Sequence, residues 1–170
     1  MQDSPLELVG VKDHFICLVS PSPEALADAR AAMASFLAHG LSPELRSAVL
    51  LALDEIITNA VAHSGTDGSI AVHLARDGDR VAATVRDSGR GFDPRCIRCD
   101  CPPALHAEGG RGLYIAIQLM DSVTVYSDNG TIVHMWRDEG RRDGASAAQR
   151  AFESEHIVRF AHRPGALPAA

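Results

Sequence analysis

No stretch of this sequence is apolar for long enough to cross a bilayer. The longest unbroken apolar run is Ala48–Leu53, far below the ~20 residues a membrane-spanning helix needs. Met1–Gly10 lacks the charged-then-apolar layout of a secretion leader. Basic residues are in the minority, with 16 Lys+Arg against 22 Asp+Glu and a net charge of −6. A general nucleic-acid binder normally shows a basic face, so the sign of the charge speaks against that class. The four cysteines do not form a secreted disulfide framework. Cys17 lies in an apolar stretch, while Cys96, Cys99 and Cys101 crowd into one short segment. Without a secretion signal they are expected as reduced thiols in a cytoplasmic protein. The familiar catalytic signatures are missing as well. There is no phosphate-binding G-x-x-x-x-G-K-[ST], no G-x-G-x-x-G after a first strand, no H-E-x-x-H and no G-x-S-x-G.

What is present supports a packed domain. Hydrophobic residues make up 46% of the 170 and charged residues 22%, enough apolar mass for one core. Residues 6–20 read as a strand around the apolar run Phe15–Val19. Ser22 with Pro23 behind it opens a helix over Glu24–Ala38, where Leu26, Ala29, Met33, Phe36 and Leu37 recur at helical spacing. Gly40 stops it. Ser42-Pro43-Glu44 opens a second helix that runs to about His63. Two strands, Ser69–Arg76 and Arg80–Asp87, flank Asp77-Gly78-Asp79, a strong hairpin signal. Ser88–Gly110 has no periodicity, and a loop this long inside a domain is usually functional. A helix at Leu113–Met120 and a second hairpin, Ser122–Ser127 with Thr131–Arg137, complete the pattern.

Hairpin-joined strands with interspersed helices predict an α+β two-layer sandwich, a mixed and mainly antiparallel sheet with helices on one face. Residues 1–138 are expected as the domain. Residues 139–170 are expected as a polar linker and dispensable tail, with a short amphipathic helix over 146–161.

Three places carry chemistry. Glu55 and Asn59 are four apart on the second helix and share a face. Because that helix is apolar on most sides, a carboxylate and an amide there are costly unless satisfied. A solvent-facing pair, or one bonded to a neighbouring loop, accounts for them equally well on pattern alone. Asp87-Ser88-Gly89-Arg90-Gly91 follows a strand directly, and its glycines permit close backbone approach to a ligand. A plain strand-end turn is the alternative. Gly109-Gly110-Arg111-Gly112 opens the third helix, where free N–H groups suit a phosphate.

The three together, in this order, resemble the GHKL family of ATP-binding domains (the Bergerat-type fold). That family shares an E-x-x-x-N helix, a D-x-G-x-G turn, a mobile lid and a G-x-G at the lid's end. Gly130-Thr131 in the last hairpin also fits, so the similarity spans roughly residues 6–137. With no phosphoacceptor domain before it and no transducer domain after it, the chain looks like a bacterial anti-sigma factor serine/threonine kinase. The resemblance implies that Asn59 holds Mg²⁺ and that Glu55 is the general base. It implies that Asp87 accepts from the adenine amino group, that Thr131 assists, and that Gly89 and Gly91 let the base lie close. Gly110, Arg111 and Gly112 would receive the phosphates, with His63 and Ser64 as weaker candidates at the helix exit. Arg30 sits where the family contacts its antagonist. The implied cofactors are ATP and Mg²⁺. The implied partners are a STAS-type antagonist, phosphorylated on serine, a sequestered sigma factor, and a second copy in a homodimer.

Two other readings stay open. One is a nucleotide-dependent partner switch without phosphotransfer. The other is a metal or redox sensor built on Cys96, Cys99, Cys101 and His106, a thiol cluster foreign to the family pattern.

Overall fold

The computed structural model describes residues 13–63, 68–97, 111–139, 149–154 and 156–161. Strand β1 (Asp13–Val19) leads into helices α1 (Pro23–Phe36) and α2 (Pro43–His63). The hairpin β2 (Ile70–Asp77) and β3 (Arg80–Asp87) follows, then a single 3-10 turn at Pro94–Cys96. After α3 (Arg111–Leu119) come the hairpins β4 (Ser122–Asp128) with β5 (Gly130–Asp138), and β6 (Gln149–Ser154) with β7 (Ile157–Ala161). The seven strands form one sheet in the order β1-β2-β3-β5-β4-β7-β6. Every pairing among the described strands is antiparallel, in keeping with the mainly antiparallel sheet expected from sequence.

The helix starts follow the local chemistry. Ser22 Oγ accepts from Ala25 N at 3.2 Å, and Ser42 Oγ accepts from Leu45 N at 3.1 Å, each ahead of a proline at the first helical position. Each cap satisfies one of the amides that a helix start leaves without an intrahelical partner.

Strand alternation builds the core. Phe15, Leu74, Ala83, Met135, Val123 and Phe160 stand side by side across six strands, and Cys17, Val72, Val85, Val133, Val125 and Val158 form the next row. These rows meet Leu53, Ile56, Ile57 and Ala60 of α2 and Leu113, Ala116 and Ile117 of α3. The row between them, Ile16, His73, Thr84, His134, Thr124 and Arg159, points to the other face.

The C-terminal expectation is overturned. Gln149–Ser154 and Ile157–Ala161 form β6 and β7, not a helix, and β7 pairs with β4 from Ser122↔Ala161 to Tyr126↔Ile157. Val158 and Phe160 are 0% and 1% exposed, while the alternate residues Ile157, Arg159 and Ala161 are not buried. That two-residue alternation belongs to a half-buried strand. The described part of the segment belongs to the sheet and its core.

α3 is anchored at its C-terminal end. The guanidinium of Arg137, itself buried, donates from Nη1 to Leu119 O at 3.0 Å and from Nη2 to Glu44 at 3.1 Å. A cation there complements the partial negative charge of a helix end. Asp121 Oδ2 accepts from Asp138 N at 2.8 Å, tying the α3–β4 turn to the end of β5. α3 as a whole packs against α2.

Candidate functional site

Two clusters of the expected residues form. The first lies where α3 begins against α2. A β-carbon on Gly112 would fall 2.7 Å from Asn59 Nδ2, 2.7 Å from Glu55 Oε2 and 3.2 Å from Glu55 Cβ. No side chain fits there without displacing both groups. Glycine thus allows a half-buried carboxylate and a half-buried amide to lie directly on the first turn of a helix, where amide N–H groups point outward. Arg111, exposed, precedes Gly112 at the same helix start. A carboxylate and a side-chain amide, whose oxygens are hard donors, beside a helix N-terminus form a set that would suit a hydrated divalent cation and phosphate oxygens. The cradle at Gly112 fits magnesium-bound phosphates on that ground.

The second cluster lies where β3 and β5 end. Asp87 and Thr131 are register partners. Asp87 Oδ1 accepts from Gly89 N at 2.8 Å, which folds the chain back over the strand end. Gly91 and Gly130 have φ of +68° and +114°, in the left-handed range that glycine tolerates. They also permit close approach: a β-carbon on Gly91 would meet Asp128 O at 2.5 Å, and one on Gly130 would meet Asp87 O at 2.5 Å. The turn after β3 is thus pressed onto the β4–β5 hairpin. Gly89 is buried within it. The two clusters ride on elements that touch, since α2 packs against β2, β3 and β5.

Arg30 stands apart from both. Its Nε donates to Asp54 Oδ1 in an exposed ion pair between α1 and α2, one residue before Glu55. Gly110 and Ser64 lie outside the described residues, and only the backbone of His63 is described, as the last residue of α2. Of the thiol cluster, Cys96 is exposed at the end of the 3-10 turn, and Cys99, Cys101 and His106 lie outside the described residues. Among the described residues, no three His, Cys, Asp or Glu side chains are grouped to hold a metal. No described helix is long and apolar enough to cross a membrane. Cys17 is half-buried in β1, and burial raises its thiol pKa.

Sequence reasoning missed Ser127. It is 3% exposed, and its Oγ accepts from Phe92 N at 2.7 Å, just past Gly91. A polar residue on the inward register of β4, opposite Thr131, was the available signal.

A sheet of this order, with a helix carboxylate and amide against a glycine-opened helix and an Asp-glycine turn at a strand end, defines a nucleotide-binding α+β class. The chain belongs to the histidine kinase-like ATPase domain family, which matches residues 19–137. Among particular proteins, it is similar to serine-protein kinase RsbW of Bacillus pumilus (strain SAFR-032), 38% identical over 97 residues. It is also similar to serine-protein kinase RsbW of Staphylococcus aureus (strain JH9), 30% identical over 96 residues. Each match covers 50% of this chain and 60% of the relative. The fold aligns with the structure of the RsbU and RsbW domains of Rv1364c from Mycobacterium tuberculosis at a TM-score of 0.56 and 20% identity. That alignment covers 89% of this chain and 34% of the other, and at this identity it speaks for the shared fold.

Proposed function

We propose that the chain is an ATP- and Mg²⁺-dependent serine/threonine protein kinase of the anti-sigma type. It would phosphorylate a serine of a STAS-type antagonist and sequester a sigma factor, acting in the cytoplasm as a homodimer. The observation that carries this reading is the cradle at Gly112, where Glu55 and Asn59 both lie against the start of α3. Support also comes from the matched family and from relatives named as serine-protein kinases.

In this reading Glu55 Oε2 takes the proton of the incoming serine hydroxyl while that oxygen bonds to the γ-phosphorus and ADP leaves. Asn59 contributes its amide oxygen to the Mg²⁺, which when bound offsets the phosphate charge. Gly110, Arg111 and Gly112 offer backbone N–H groups and a guanidinium to the phosphate oxygens. Asp87 receives the adenine amino group, with Thr131 beside it and Gly89 and Gly91 giving it room. Phosphoryl transfer asks mainly for such positioning and charge compensation. Arg30 is the residue offered to the antagonist, and contact with a partner would have to compete with its pairing to Asp54. Residues 1–138 would form the kinase domain, to which the C-terminal hairpin is an added part.

The test is transfer of labelled phosphate from ATP to candidate antagonists. Glu55→Ala should cut transfer by about 10²–10⁴-fold, the usual contribution of an aligned base, and leave ATP binding in place. Wild-type protein that binds ATP yet labels no antagonist would support the non-catalytic partner switch instead. Protein that binds no ATP would remove both.

A further inference from the structure

The residues beyond the matched family region do more than widen the sheet. The hairpin β6–β7 turns at His156, and His156 O accepts from Ser127 N at 2.9 Å. Ser127 Oγ in turn accepts from Phe92 N at 2.7 Å, and lies 2.8 Å from where a Gly91 β-carbon would stand. One buried serine therefore joins the C-terminal turn to the loop that follows Asp87. The link continues further along that loop. The 3-10 turn Pro94–Cys96 packs against both β4 and β7, and Ile97 at its end is buried. Asp93 caps that turn by accepting from Arg95 N at 2.9 Å. Its acidity is strengthened first by the hydrogen bonds from Arg95, with a smaller attraction from His156.

We propose that the β6–β7 hairpin braces the Asp87–Gly91 loop through Ser127, a positioning residue, and so sets how selectively the adenine end of a nucleotide is held. This rests on the reading of Asp87 as the adenine acceptor. The physical argument is one of register. Asp87, Thr131 and Ser127 are consecutive neighbours across β3, β5 and β4. Whatever fixes Ser127 at the end of β4 also fixes the backbone that Asp87 and Gly91 share. Without the Ser127 hydroxyl, Phe92 N–H loses its acceptor and the loop loses its tie to the hairpin.

The experiment uses the full chain, with amide hydrogen exchange at Phe92 read by NMR. It also uses titration with ATP and with inosine triphosphate, which lacks the 6-amino group. Ser127→Ala should speed Phe92 exchange and weaken ATP by roughly two- to tenfold, the scale of one lost hydrogen bond. Inosine triphosphate should weaken less, so the ratio between the two nucleotides narrows. Inserting two glycines before His156 leaves Ser127 intact but moves the carbonyl it bonds. It should act in the same direction, and combining it with Ser127→Ala should add little. If the insertion lowers the thermal midpoint but leaves both Phe92 exchange and the ATP to inosine triphosphate ratio at wild-type values, the brace is overturned. If the wild type binds no ATP, the nucleotide reading fails by itself. Phe92 exchange then still decides the brace, because an unchanged rate in both variants rejects it.

Discussion

The position on which the proposed chemistry most depends has no side chain. Gly112 opens α3, and any β-carbon there would collide with Asn59 Nδ2 and Glu55 Oε2. Two opposing effects follow from Gly112→Ala. Alanine favours a helix over glycine by about 1 kcal/mol, which stabilises the fold. The colliding atoms are the free ends of side chains, so they can swing aside at low cost, although Glu55 Cβ at 3.2 Å leaves little slack. Stability should therefore change by less than about 1 kcal/mol. Function should not escape if Glu55 and Asn59 act as proposed, because a proposed base and cation ligand moved by about 1 Å would cost about 10²-fold in rate. Calorimetry paired with phosphotransfer separates the two. A variant that keeps its thermal midpoint and its full transfer rate would show that Glu55 and Asn59 do not act where they now lie. Gly130 differs in kind. At φ +114°, with Asp87 O only 2.5 Å from the added atom, it faces backbone that cannot yield, so substitution there is a matter of stability first.

Among the elements, legibility in the sequence followed the source of each one's stability. α1 and α2 announce themselves through local chemistry, Ser-Pro caps and helical spacing, and both caps form as read. The hairpins at Asp77-Gly78-Asp79 and Asp128-Asn129-Gly130 are equally local. Glu55, Asn59 and Gly112 were legible as motifs, but their mutual contact is tertiary, made only where α3 packs on α2. The C-terminal hairpin was misread because Ala145–Glu155 has helix-forming composition. What prevails is the edge of β4, whose backbone groups need partners and receive them from β7. No pattern internal to residues 146–161 reveals that edge. Phe160→Ala tests how far the strand is structural. Phe160 is 1% exposed and lies in register with Val123 of β4. Truncating a buried phenylalanine typically costs about 3–5 kcal/mol, so denaturant melts should lose that much. A loss below about 1 kcal/mol would restore the dispensable-tail reading.

At the scale of the whole molecule, the sheet has a helix-covered face and a second face crossed by histidines. On that second face His14 Nδ1 and His73 Nε2 lie 3.0 Å apart, and their rings are nearly coplanar, 14° apart with centroids at 5.3 Å. The rings thus meet nitrogen to nitrogen, as in an N–H···N hydrogen bond. His134, two strands on from His73, bonds through Nδ1 to Thr84 Oγ1 at 3.0 Å. Burial lowers the pKa of His134 below 6.5, with His73 and Arg159 adding to the effect. His73 is lowered in the same sense, by burial first and then by His14. The sign follows from proton linkage. The unfolded chain takes up protons at these sites as pH falls through about 6.5, before the folded chain does, so acid favours unfolding. Stability should be full above that pH and fall below it, levelling once the folded histidines also charge. Glutamine at position 134 keeps a hydrogen-bonding group for Thr84 but cannot titrate. His134→Gln should therefore flatten the decline in thermal midpoint between about pH 6.5 and 5 while leaving the midpoint near pH 8 close to wild type. Since α2 and the Gly112 cradle belong to the opposite layer, ATP affinity at pH 8 should be unchanged in the same variant. An acid decline as steep in His134→Gln as in the wild type would move the pH sensitivity off this residue and onto His73.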